Sequence, residues 1–201
     1  MMLQQSLLIL WMLLGLHAPA EPQWQLVKEG EGIKVYTANS AATDFKTIKV
    51  VAVFDGTLEK FLAILLDVGK QPDWVYGTSH AHLIKKVSAQ EIHYYVETDL
   101  PWPANNRDTI IRMRLNENQD ENALTITSVG EPQALPLQDG KVRVQHMAAS
   151  WEVAAAGHDK ISITYQLHVD PDGSLPAWIV NLFVSKGPYE TFRNLSALLK
   201  K

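Results

Sequence analysis

The chain has 201 residues, of which 46% are hydrophobic and 20% charged, with 18 basic against 22 acidic side chains and a net charge of −4. That composition describes one globular domain with room for a substantial core, and its acidic balance excludes a nucleic-acid footprint, which needs clustered Lys and Arg. Cysteine is absent, so disulfides, thiolate metal sites and thiol nucleophiles are excluded, and stability must come from packing.

The N-terminus reads as a separate object. Leu7 to Leu16 is a nearly unbroken apolar run, too short to span a bilayer, and it leads to Ala18-Pro19-Ala20, with small side chains at the positions a signal peptidase reads. This predicts a signal peptide over residues 1–20, a mature domain over 21–201, and a periplasmic or secreted destination. No Lys or Arg precedes Lys28, so only the N-terminal amine supplies the positive charge such a segment carries.

Trp24 to Val27 reads as a short helix or lead-in, broken by Gly30-Glu31-Gly32 before a strand that begins at Ile33, Val35 and Tyr36. Phe45 to Phe54 reads as a longer strand with Ile48, Val50, Ala52 and Phe54 on one face. Thr57 is placed to cap a helix whose Leu58, Phe61, Leu62, Leu65 and Leu66 form a single apolar stripe, ending near Gly69 before Pro72. From His80 to Val169 the apolar period becomes two. Runs at 80–88, 91–100, 109–116, 123–129, 141–154 and 160–169 follow one another without intervening helices, which predicts antiparallel pairing. The expected class is α+β, with a strongly bent antiparallel sheet wrapped around one long helix.

That helix follows Asp170-Pro171-Asp172-Gly173-Ser174-Leu175-Pro176. Ser174 is the expected cap, and Pro176 sits in the first turn, where its missing N–H costs little. Leu175, Trp178, Ile179, Leu182 and Phe183 form the apolar stripe. Gly187-Pro188 should kink or divide the helix, after which Tyr189, Phe192, Leu195 and Leu199 resume a buried face. Trp178, Asn181 and Ser185 make a flanking row polar enough to meet a lipid head group or water.

Two motifs carry a family resemblance that covers roughly Trp24 to Lys201. Pro101-Trp102-Pro103-Ala104-Asn105-Asn106-Arg107-Asp108 and the turn from Asp170 to Trp178 resemble the corresponding segments of the START (StAR-related lipid transfer) domain, in the same order and at similar separation. Glu97 falls where members often carry an acidic residue. Asp73-Trp74 is similar to a family tryptophan, although many members have Asp where Val75 stands here, and Asp172 stands where Gly is common. The resemblance implies a helix-grip fold with an internal hydrophobic cavity, no enzymatic activity, no cofactor, and transfer of one lipid between membranes through a gate at the C-terminal helix. Implied partners are a lipid ligand and a transient membrane contact, with no nucleic acid, for a protein acting as a monomer.

An acyl chain or sterol gains on the order of 0.8 kcal/mol per buried CH₂, so large apolar side chains on the strand faces supply most of the affinity of such a carrier. Met113, Met147, Trp151 and Tyr165 are the strand candidates for ligand contact, joined by Trp74, Trp102, Trp178, Asn181 and Phe183. Methionine suits an adaptable wall. Two charged groups complete the set: Arg107 can pair with phosphate or carboxylate or only pin its loop, and Glu97 can accept from a hydroxyl or neutralise an arginine.

Catalytic readings find little. There is no Gly-x-Ser-x-Gly elbow, phosphate-binding glycine loop or His-Glu-x-x-His helix. His80 and His82 share a strand face with His93 nearby but lack a definite third ligand, so no metal is expected. An alternative is a helix-grip enzyme such as a polyketide cyclase or a hydrolase of an amphipathic substrate, which would hold Glu97 or Asp99 inward and unpaired. A lipid-responsive sensor or scaffold is the other alternative.

Overall fold

Period-two alternation over most of the chain produces a ten-stranded sheet in the computed structural model, which describes residues 22–39, 46–118 and 122–201. The predicted signal peptide at 1–20 and the first residue of the strand expected at Phe45 lie outside the described residues. The strands are β1 (Gln25–Gly30), β2 (Ile33–Asn39), β3 (Lys46–Asp55), β4 (Thr78–Lys86), β5 (Glu91–Thr98), β6 (Asn106–Asn118), β7 (Ala123–Gly130), β8 (Lys141–Arg143), β9 (His146–Ala155) and β10 (Lys160–Asp170). Their spatial order is β1-β2-β3-β10-β9-β7-β6-β5-β4, with β8 alongside β6.

The chain's first described element differs from expectation. Gln25 to Val27 belong to strand β1, not to a helix, because Glu31 and Gly32 both take positive φ (51° and 75°) and close a two-residue hairpin that pairs Gly30 with Ile33. Such a turn matches the twist of paired strands, so the Gly30-Glu31-Gly32 break becomes a reversal of direction. A second difference lies in the expected strand over 141–154. It divides at Val144 and Gln145 into β8, parallel to β6, and β9, antiparallel to β7 and β10. The divide sits where Arg143 turns to Asp108, with Nε–Oδ1 and Nη2–Oδ2 distances of 2.9 and 2.8 Å, and also donates to the carbonyls of Pro132, Leu135 and Pro136.

One face of the sheet is apolar throughout: Ile48, Val50, Ala52 and Phe54 from β3, Ile111 and Met113 from β6, Trp151 and Val153 from β9, and Ile161 and Ile163 from β10 are all buried. Helix α1 (Leu58–Leu66) starts at Thr57, whose hydroxyl accepts the Lys60 N–H at 3.2 Å, and buries Phe61 and Leu65. Leu66, expected on the same stripe, is exposed. A 3₁₀ turn over Val68–Asp73 follows and leads to a corner at Trp74 to Gly77.

The final helix runs as α2 (Ala177–Asn181), a π-helical turn over Leu182–Lys186, and α3 (Gly187–Lys200). Ser174 makes no capping bond; Pro176 occupies the cap position. The expected break at Gly187-Pro188 takes the form of the π turn, in which the Gly187 N–H reaches the Leu182 carbonyl. Pro188 has no N–H and crowds the preceding turn, and widening that turn relieves both problems without ending the helix. From α3, Tyr189, Phe192, Leu195 and Leu199 are buried against the sheet.

The corner at Trp74 to Gly77 receives this helix. Asn194 donates to the Trp74 carbonyl at 3.2 Å and the Tyr76 N–H donates to the Thr191 hydroxyl at 3.0 Å. Tyr76 meets Phe183 edge-on at 5.7 Å. Gly77 has a φ of 76°, and a Cβ there would stand 2.9 Å from the Phe183 ring, so only glycine fits both the turn and the ring.

Candidate functional site

Between the apolar face of the sheet and the helices lies a cavity of about 300 Å³, at the small end of the roughly 300–1,000 Å³ typical of ligand clefts. Its floor comes from alternate residues of neighbouring strands: Tyr94, Val96 and Thr98 of β5, Thr109, Ile111 and Met113 of β6, Ser128 of β7, Met147, Ala149 and Trp151 of β9, and Tyr165, Leu167 and Val169 of β10. Its cover comes from Trp74, Val75 and Tyr76 of the corner and from Ile179, Val180, Phe183, Val184, Thr191 and Phe192 of the final helix.

Register explains the aromatic cluster in this lining. Tyr165 pairs with Trp151 across β10 and β9, so their rings meet tilted at 4.3 Å, and Phe192 reaches down from α3 to both at 5.5 and 5.8 Å. Phe61 of α1 meets Trp151 at 5.5 Å. Helices and sheet thus join through four rings along one side of the cavity.

Of the residues expected from sequence to contact ligand, the structure brings Trp74, Arg107, Met113, Met147, Trp151, Tyr165 and Phe183 together around the cavity. Glu97, Trp102, Trp178 and Asn181 stand outside its lining. Trp102 is 88% exposed at the tip of its loop, and Trp178 is 52% exposed on α2 beside the exposed Asn181. Trp178 was expected on the apolar stripe with Ile179; the helix buries Ile179 and leaves Trp178 on the surface, and Trp102 stands on a loop outside that stripe.

Glu97 lies on the outer face of β5, since residues 91, 93, 95 and 97 alternate away from the cavity. It accepts hydrogen bonds from Lys141 and from Asn106 Nδ2, and the same Asn106 amide donates to Asp99 at 2.6 Å. Burial pushes the Glu97 carboxyl up, but the hydrogen bonds from Lys141 and Asn106 outweigh that and hold it below its ordinary value. His80 and His82, also outward on β4, approach to 3.2 Å between Nδ1 and Nε2. His93 is held apart from them between Glu91 and Glu131, and among the described residues no group of three or more His, Asp or Glu is placed to hold a metal ion.

Arg107 is buried, and its guanidinium serves three main-chain carbonyls: Nε to Pro171 at 2.6 Å, Nη1 to Asn105 at 2.7 Å and Nη2 to Asp172 at 2.6 Å. It therefore ties the Trp102 loop to the turn before α2. Asp172 takes a φ of 52° in that turn, which explains an aspartate where glycine is expected, since Asp tolerates the left-handed region. Its Oδ2 accepts the Gln145 N–H at 2.9 Å.

Sequence reasoning missed several polar lining residues, among them Tyr94, Gln71 and Ser128. Tyr94 is buried within reach of Gln71 and Ser128, both also buried, and burial pushes its hydroxyl up to about 12 despite hydrogen bonds from these two. Burial, with Tyr94 nearby, raises the Tyr165 hydroxyl as well. The alternation Ile92-Tyr94-Val96 and Leu124-Ile126-Ser128 was available as a signal for two of them. Gln71, in a 3₁₀ turn, belongs to no period.

Comparison with known proteins agrees with this architecture. A STAR-related lipid transfer protein from Xanthomonas axonopodis superposes with a TM-score of 0.80 at 28% identity, over 89% of this chain and 99% of that one. Human StAR-related lipid transfer protein 5 shares the fold with a TM-score of 0.75 at 18% identity, over 88% and 86% of the two chains. Bovine phosphatidylcholine transfer protein is 27% identical over 169 residues, 82% of this chain and 78% of its own length. The START domain profile itself matches residues 13–201, and with the curved sheet, the closing helix and the cavity between them, the chain belongs to the START domain family.

Proposed function

We propose that the protein binds one lipid in the cavity and carries it between membranes without a covalent step. The observation that carries this reading is the cavity lining, which is apolar except at a few positions and is covered by the least buried part of the final helix. Between Ala177 and Lys186 only Ile179 is fully buried, whereas α3 buries the side chains of Tyr189, Phe192, Leu195 and Leu199. The segment over 177–186 and the Trp102 loop beside it form the gate. Trp102 and Trp178, exposed on either side of the Arg107 tie, supply amphipathic rings suited to a membrane interface during a transient contact.

Support also comes from relatives named for lipid transfer. The enzyme alternative predicted Glu97 or Asp99 inward and unpaired; both are hydrogen-bonded to Asn106, and neither lines the cavity. The protein acts as a monomer. Export rests on residues 7–20 alone, and N-terminal sequencing of the protein purified from its host tests it: a chain beginning at Glu21 is expected.

The carrier reading is tested by measuring lipid retention and vesicle-to-vesicle transfer separately. Phe183→Asp places a charge in the lining and should abolish retention of lipid that copurifies with the unaltered protein. Trp102→Glu combined with Trp178→Glu should leave retention intact and slow transfer about tenfold, the gate having lost its interfacial anchors. Copurification of no lipid, or equal transfer by both proteins, would count against it.

A further inference from the structure

The polar groups of the cavity divide into two sets. Lys46 and Arg107 are the charged residues in its lining among the described residues. Arg107 pairs with Thr98 across β6 and β5, and Lys46 opens β3 two positions before Ile48, which faces Leu167. Both therefore belong to the end beside the Pro171 turn. Tyr94 pairs with Ile111, four residues further along the same two strands, which places it about 13 Å deeper at roughly 3.3 Å per residue.

At that deeper position stands an uncharged set. The Tyr94 hydroxyl is held by Gln71 and Ser128. Beside it, the Tyr165 ring is fixed against Trp151 and Phe192, and its hydroxyl has no hydrogen bond among the described residues. Two features of this cavity are not accounted for by its packing: a phenol that can both donate and accept, placed in an apolar chamber without a partner, and the buried Trp74 Nε1 of the same lining, which has no hydrogen-bond partner among the described residues.

We infer that the lipid's polar end is a single neutral hydroxyl or carbonyl, received at the deep end of the cavity by the Tyr165 hydroxyl with the Tyr94–Gln71–Ser128 set beside it. This rests on the reading of the cavity as a lipid site. Among the described residues a carboxylate or phosphate has no cation at the deep end, and the buried Arg107 near the turn is occupied by three carbonyls. A quaternary ammonium finds no acidic lining residue, and the rings that could form a cage for it, Trp151, Tyr165 and Phe192, are packed against one another.

The test uses the full chain freed of lipid and exposed to an equimolar mixture of 1-dodecanol, dodecane, dodecanoate and a diacyl phosphatidylcholine, with retained lipid identified by mass spectrometry after gel filtration. The alcohol should be retained about tenfold over the alkane. Tyr165→Phe should remove most of that preference, and Ser128→Ala should weaken it independently. Circular dichroism checks that each variant is folded, and the two substitutions guard against either one failing to fold. Preference for dodecanoate or phosphatidylcholine, equal retention of alcohol and alkane, or a Tyr165→Phe protein with undiminished preference would overturn the inference and leave the carrier reading standing. Retention of none of the four would overturn both.

Discussion

At the scale of single residues, the outer face of the sheet uses charge in two ways. Asp108 and Arg143 are both nearly inaccessible and face each other in a two-pronged pair. Such a pair adds little net stability over apolar residues of the same size, but removing one partner strands the other as a buried charge. Asp108→Asn should therefore lower the unfolding free energy by about 3–5 kcal/mol in urea titrations, and the segment around Pro132 to Pro136, held by the same guanidinium, should loosen first. Glu97 and Glu131 are held below their ordinary value of 4.5, Glu97 by Lys141 and Asn106 and Glu131 by Arg112 and His93, in each case against the opposing effect of burial. Because the folded carboxyls bind protons more weakly than the unfolded ones, the stability they contribute is complete above about pH 4.5. It is lost as pH falls through the folded values. The contribution of these two carboxyls to the urea midpoint should hold steady between about pH 7 and pH 5 and drop below that range. Glu97→Gln should make the drop shallower.

At the scale of elements, the final helix is two devices in one. Its second half, α3, is fastened to the sheet by Phe192 and to the corner by Asn194 and Thr191. Its first half depends on the contact of Phe183 with Tyr76 and Gly77. The π turn between them lets Pro188 sit inside a continuous helix and marks the boundary. Amide hydrogen exchange should accordingly be faster over 177–186 than over 187–200, because few buried apolar contacts resist local opening there. Gly77→Ala should widen the difference: a Cβ would strain the positive φ and push Phe183 aside, at a cost of about 1–3 kcal/mol. Uniform protection along both halves would show that the helix moves as a single rigid rod.

At the scale of the whole molecule, the hollow interior couples stability to occupancy. Side chains that line a cavity forfeit contacts on one side, and a bound lipid restores them. Adding the copurifying lipid at a hundred times its dissociation constant should raise the unfolding free energy by about 2.7 kcal/mol. Sheet and helices share one aromatic cluster around Trp151, so the gain should appear as a shift of one cooperative transition.

The inward set on β3, the capped first helix and the buried face of α3 were legible in the sequence because each depends on a local period or a local capping residue. The α+β class followed from counting strands without helices between them, and the family from two loop motifs. Pairing partners were not legible. That β1 is a strand was decided by a two-residue turn and a neighbouring strand, and the division of 141–154 by a buried Arg143 that finds Asp108 far along the chain. The site was legible for residues on alternating strands, such as Met113, Trp151 and Tyr165. It was not for Gln71, which sits in a 3₁₀ turn outside any period, nor for Trp178, which stands exposed on α2 while its neighbour Ile179 is buried. Period determines which face a residue shares with its neighbours. Only the folded chain decides what that face meets, because contacts between distant segments depend on register and crossing geometry that no local pattern encodes.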